Sequence, residues 1–266
     1  MVFKLWSIWH ILYILSPAIL FAGLYLLVRK TTDKTKHTVG IVLGALSIFS
    51  LVLRNVDIFV RNGWDSEIIP LQVCHIGSLI AGLAVITKRK WMIATAFCFN
   101  IMPALLAMVF ADALANYDTL LAIRPQTYVW GHILILLCAL YGVLVYLPDF
   151  TRPDLYNSMI FVGSASLVAI ICNSAFRATL GWEPNYFYIY DYSGTPLKFL
   201  YNATPTSHYG WFSINWLYTL TLIAVFVGLF IGLFLLAGLI VKRMESCSAD
   251  VDSAQSDEFI EESVGA

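Results

Sequence analysis

Charge is what this sequence has least of. Only 12% of its 266 residues are charged, while 59% are hydrophobic. A soluble globular domain carries about 25% charged residues, so a water-soluble fold is excluded. Other absences narrow the chemistry. The five cysteines, Cys74, Cys98, Cys138, Cys172 and Cys247, form no Cys-x-x-Cys pair, and neither a zinc site nor a disulfide framework is expected. There is no phosphate-binding glycine loop and no Gly-x-Ser-x-Gly elbow. The first apolar run follows a single Lys and lacks an A-x-A-like cleavage site. It reads as a retained helix rather than a signal peptide. No internal repeat stands out.

What is present is a succession of apolar runs. A bilayer core of ~30 Å needs about 20 apolar residues per helix. By that rule the sequence predicts an all-α membrane protein with seven spans, at 8–28, 38–60, 71–86, 91–111, 128–147, 156–180 and 211–241. Trp6 and Trp9 suit an interfacial belt before the first. The domain reading is a short terminus at 1–7, a membrane domain at 8–241 and an acidic tail at 242–266. The tail, rich in Asp, Glu and Ser, is expected to be disordered. Residues 181–210 form a long aromatic loop. The alternation of Tyr186, Tyr188, Tyr190 and Tyr192 fits a short strand, and a lid lying at the membrane surface fits the aromatic content better.

Orientation follows from basic residues. Ten Lys and Arg lie in links on the tail's side: Arg29, Lys30, Lys34, Lys36, Lys88, Arg89, Lys90, Arg152, Lys242 and Arg243. Lys4, Arg61, Arg124 and Lys198 lie on the other. The bias predicts an extracytoplasmic N-terminus and a cytoplasmic C-terminus in the cell membrane. With that orientation, the polar residues inside spans converge near the outer ends: Arg54 and Asp57, Gln72, Cys74 and His75, His132, and Asn173 with Arg177. Polar groups inside a membrane face protein, water or ligand. An Arg–Asp pair that only locks helices is one reading of Arg54, Asp57 and Arg177. An anion site is another, because two or three guanidiniums against one carboxylate leave excess positive charge, and guanidinium forks suit phosphate.

Cys74 adjoins His75, but neighbours on a helix point about 100° apart. His132, from another helix, is the better partner for the thiol, with His75 in reserve. A Cys with a nearby base can carry an acyl group as a thioester. Packing roles for all three are equally natural readings of buried residues. Asn173 shares a face with Arg177 and is placed as a supporting pocket residue. Asn100, beside Pro103, reads as interhelical glue or local backbone repair.

Pro70-Leu71-Gln72-Val73-Cys74 resembles the Leu-Pro-Leu-His-Leu-Cys signature of YwaF-type integral membrane proteins. Ala104-Leu105-Leu106 with Asp112, His132, and Asn185-Tyr186-Phe187 resemble further pieces of that family in the same order. The similarity covers roughly 53–216. The family is related to a eukaryotic seven-helix transmembrane cysteine acyltransferase that remodels phospholipids. The resemblance implies a seven-helix fold, a nucleophile at Cys74 and assistance from His132. It departs at Gln72, where the family has His, and at His75, where an acidic residue is common.

The favoured expectation is a lipid acyltransferase with an outer-leaflet pocket. Cys74, His132 and His75 are its catalytic set. Arg54, Asp57, Gln72, Asn173, Arg177, Asn185 and Tyr186 are its substrate contacts. The partners expected are membrane lipids, through an anionic headgroup or another small anion. No cofactor, metal or nucleic acid is expected, and protein partners are left open. A transporter component or a seven-helix sensor that binds an anion without catalysis are the alternatives. An inner half nearly free of polar groups argues against a transport path.

Overall fold

The computed structural model describes residues 3–117, 119–189 and 198–264. Among them, seven apolar segments are long enough to cross a membrane, the third only when residues 66–72 are counted with its helix. They are α1 (Ile8–Val28), α2 (Asp33–Asn62), α3 (Val73–Thr87), α4 (Lys90–Val109), α5 (Ile123–Leu144), α6 (Arg152–Leu180) and α8 (Trp216–Val264). A short α7 (Lys198–Asn202) and a hairpin of β1 (Ser207–Tyr209) with β2 (Phe212–Ile214) precede the last. The seven-helix expectation holds, with shifted ends.

Two shifts matter. α5 begins at Ile123 rather than near Tyr128, which brings Arg124 into its first turn. Pro125 does not prevent this, because the first N–H groups of a helix have no intrahelical partner anyway. α8 begins at Trp216 rather than near Trp211, because the hairpin occupies the residues before it. Buried Asn215 sets that start. Its Oδ1 accepts from the Tyr218 backbone N–H at 3.1 Å, and its Nδ2 donates to the Tyr201 and Thr204 carbonyls, each at 2.8 Å. The backbone of α8 stays helical to Val264, through the 242–266 tail for which the sequence predicts disorder. Extending an existing helix avoids the cost of nucleating one.

α3, α4 and α5 form the centre, and α2 packs on α3 and α5. α1, α6 and α8 lie outside and expose apolar side chains such as Leu27, Ile160 and Leu239. Outward leucines suit a helix facing lipid, where every backbone group is already paired inside the helix. The α2–α3 seam depends on small residues. A Cβ placed on Gly44 would lie 2.5 Å from the Gly82 carbonyl, and one on Gly82 would lie 2.7 Å from the Gly44 carbonyl. Close backbone approach of this kind is how membrane helices gain packing without a hydrophobic drive. At the same end, Tyr146 donates to the Val85 carbonyl (2.9 Å) and Tyr141 to the Lys36 carbonyl (2.7 Å).

Gly44→Ala is expected to force the seam apart and destabilise the bundle by about 2 kcal/mol. Gly163→Ala, with nothing near its added Cβ, is expected to be neutral or stabilising by up to ~1 kcal/mol. Thermal unfolding of both variants in detergent, followed by circular dichroism, checks the contrast.

Candidate functional site

The α2–α3 connection builds the site. α3 has 15 residues, about 22 Å of helix at 1.5 Å per residue, short of a ~30 Å core. The span is completed by residues 66–72, which enter as a 3-10 turn, Ser66–Ile68, and non-helical backbone. Such backbone is tolerated at membrane depth only where protein satisfies its polar groups. Three side chains do this. Asn55 Nδ2 donates to the Ile68 carbonyl at 2.9 Å. Arg54 Nη1 donates to the Glu67 carbonyl at 3.1 Å. The Tyr186 hydroxyl donates to the Ser66 carbonyl at 2.6 Å.

The ion pairs differ from those expected. Arg54 Nη2 reaches Glu67 Oε2 at 3.1 Å, and Arg124 from α5 binds the same carboxylate oxygen. Asp57 does not join them. Its Oδ1 accepts from Arg61 Nε at 2.9 Å, one turn along its own helix, and its Oδ2 is buried without a hydrogen bond. A four-residue spacing brings the two side chains together on one helix face. Glu67, not Asp57, is the carboxylate that Arg54 and Arg124 share, with Asp65 also acting on Arg124. Glu67 was the residue that sequence reasoning missed. Its signal is a pair of acids, Asp65 and Glu67, in a short link opposite more basic residues than Asp57 could balance.

The short α3 also explains how Cys74 and His132 fall near one level. Cys74 is the second residue of α3 and His132 the tenth of α5. Arg54 lies within electrostatic reach of Cys74, His75 and His132, and His75 within reach of His132. Arg54 is therefore the common neighbour of Cys74, His75 and His132, with no electrostatic interaction found between Cys74 and His132 themselves. No hydrogen bond joins Cys74 to His132 among the described residues.

His132 is buried, with Nδ1 2.7 Å from the Tyr128 carbonyl and its ring 4.4 Å from that of Tyr128. A carbonyl partner requires the proton on Nδ1, which leaves a lone pair on Nε2 of the neutral ring. His75 is buried, and its Nδ1 has no hydrogen-bond partner. Gln72 caps α3 with its backbone carbonyl, and its side chain makes no cap bond.

Cys74 is half-buried and borders a crevice of about 10 Å³, lined by Val73, Cys74, Gly77, Asn100, Pro103, Ala104 and Ile135. Asn100 is a wall residue rather than a simple backbone repair. Its Nδ2 donates to the Gly77 carbonyl at 3.1 Å, a bond between α4 and α3.

Residues 186–188 of the aromatic loop lie against this region. Asn173 clasps Tyr186 in two bonds, donating to its carbonyl at 3.0 Å and accepting from its N–H at 2.8 Å. Phe187 and Tyr188 both adopt positive φ, near 58° and 56°, a conformation that costs energy in non-glycine residues. The Phe187 ring sits 5.8 Å from that of Phe99 on α4, and Tyr188 lies within electrostatic reach of Cys74. Asn185 caps the turn, accepting from the Tyr188 N–H at 3.2 Å. Arg177 Nη2 meets the Pro184 carbonyl at 3.5 Å, so it works at the loop, while Arg124 is the second guanidinium beside Arg54. The observed turn at Tyr186–Tyr188 is a 3-10 turn. Tyr190 and Tyr192, the other half of the alternation, lie outside the described residues, as does the side chain of Asp112.

Tyr186 ties the loop to the α2–α3 connection, and burial, then Cys172 and Asp65, push its hydroxyl up to about 12. A raised value means the folded protein keeps a proton that the unfolded chain loses near 10. The stability from this group is full below about pH 10 and is lost as pH rises towards 12. In the difference between the ultraviolet titrations of the native protein and Tyr186→Phe, one phenol is expected to ionise near 12, about two units above an ordinary tyrosine. Tyr186→Phe is expected to remove that step, cost ~1 kcal/mol, and speed proteolysis of the loop.

A protein-family model described as the TMEM164 family matches residues 5–236. No curated protein and no solved structure matches this chain. The matched segment takes in α1 to α6 and most of the apolar part of α8, including every site residue named above. The chain is a multi-pass membrane protein that belongs to the TMEM164 family.

Proposed function

We propose that the protein is a membrane acyltransferase that works on phospholipids or related lipids through a thioester at Cys74. The observation that carries this reading is the placing of Cys74, His75 and His132 around Arg54, with Tyr188 of the aromatic loop beside the thiol. The YwaF-type resemblance, with its acyltransferase relative, points to the same two residues, Cys74 and His132.

The Cys74 thiol gives its proton to His132 Nε2, and the sulfur attacks the ester carbonyl of a donor lipid. A C–S bond forms, the C–O bond breaks, and the lysolipid alkoxide takes the proton back from His132. An acceptor lysolipid hydroxyl then loses its proton to His132 and attacks the thioester. The new C–O bond forms, the C–S bond breaks, and the thiol is restored. Small movements of α5 against α3 bring the imidazole into hydrogen-bond reach, since catalytic contacts often tighten only with substrate bound. His75 is the reserve base. Arg54, held by Glu67 and its carbonyl, is a fixed positive charge for the thiolate and the oxyanion. Arg124 and Arg177 lie nearer the rim and take the headgroup phosphate, a task for which guanidinium forks are suited. The loop at Asn185 and Tyr186, clasped by Asn173, shapes the entrance. The basic-residue bias supports an outer-leaflet position in the cell membrane.

Purified protein in lipid vesicles is expected to exchange acyl chains between a labelled phospholipid and a lysolipid. Cys74→Ala and Cys74→Ser are expected to abolish exchange and labelling by a thiol-directed acyl probe. His132→Ala is expected to lower the rate by about 10²–10⁴-fold, the usual worth of a general base. Full exchange by Cys74→Ala would remove the thioester.

A further inference from the structure

The crevice beside Cys74 holds a polar atom that its surroundings leave without a partner. Asn100 is 2% exposed, and its Oδ1 has no hydrogen bond. The amide cannot be turned to hide this atom, because Nδ2 already donates to the Gly77 carbonyl, and a flip would set oxygen against oxygen. Gly77, one turn beyond Cys74, leaves the space open. A Cβ there would sit 3.0 Å from Asn100 Oδ1. Pro103 has no N–H, so the Phe99 carbonyl one turn before it lacks its helical donor. A buried acceptor without a donor costs about 1–3 kcal/mol unless water reaches it. The space of about 10 Å³ matches one water.

We infer that this crevice binds a single water on Asn100 Oδ1, and that this water is an acyl acceptor, giving the protein a hydrolase activity besides transfer. The inference rests on the thioester at Cys74 proposed above. The thioester would be attached to a side chain that lines the same crevice. Asn100 is a positioning residue. Its amide oxygen accepts one water hydrogen and orients the lone pair, as amide side chains do for attacking waters elsewhere. The water oxygen attacks the thioester carbonyl, forming a C–O bond, while its proton passes to His132 Nε2. The C–S bond breaks, a free carboxylic acid leaves, and the Cys74 thiolate regains the proton. With an acceptor lysolipid present, transfer competes. Without one, the crevice water clears the enzyme.

The test uses full-length protein in phosphatidylcholine–phosphatidylglycerol vesicles made in ¹⁸O-water, with no lysolipid added. Intact-protein mass spectrometry reads acyl-Cys74, and the released fatty acid is examined for ¹⁸O. The expected result is a thioester that decays with ¹⁸O in the acid. Asn100→Leu and Gly77→Ala, which remove the acceptor and fill its space from opposite walls, should slow that decay about tenfold, one hydrogen bond of positioning. Transfer to lysolipid added later should change far less, which a general loss of structure would not allow. Decay at the native rate in folded Asn100→Leu and Gly77→Ala would overturn the inference and leave the acyltransferase reading standing. Absence of any acyl-Cys74 in the native protein would overturn both.

Discussion

The structure depends on satisfying backbone carbonyls where no water can. α3 is too short to cross an apolar core by itself, and the chain before it must descend as irregular backbone. Each carbonyl left there would cost several kcal/mol in hydrocarbon. Asn55, Arg54 and Tyr186 answer three of them in succession, at Ile68, Glu67 and Ser66. Two come from α2 and one from the aromatic loop. The repair of one short segment therefore ties two distant parts of the chain to it.

That repair also places the chemistry. Because α3 starts late, its second residue, Cys74, lies within reach of Arg54, as does the tenth residue of α5, His132. Arg54 serves twice, as a donor to the Glu67 carbonyl and as the charge felt by the thiol and both imidazoles. Glu67 keeps the guanidinium in place and draws Arg124 in from α5. A charge buried inside a membrane is stable only when so engaged. The same constraint reappears at Asn100, where one amide proton is used between helices and the oxygen is left facing the crevice.

Much of the fold was legible in the sequence. Seven apolar stretches are a matter of length and composition, and lipid imposes that rule directly. The convergence of Arg54, Cys74, His75 and His132 was legible too, because depth along a span can be counted. Partners were not. Arg54 and Asp57 share a helix face, yet Arg54 reaches Glu67 while Asp57 turns to Arg61. Arg177 sits four residues from Asn173, yet it bonds the loop at Pro184. Those choices depend on where links fold, and links carry no hydrophobic period to read.

The sequence by itself determined that the chain spans a membrane, how often, and at what level its polar residues gather. Hydrophobic length and the cost of buried charge act residue by residue, so they leave a linear record. Only the tertiary structure decided that Glu67 is the counter-ion, that Arg124 replaces Arg177 beside Arg54, and that Asn100 walls the crevice at Cys74. These outcomes follow from distances between helices far apart in sequence, set by contacts such as Gly44 on Gly82. Packing at that precision is a property of pairs of surfaces, and a single strand of letters does not state it.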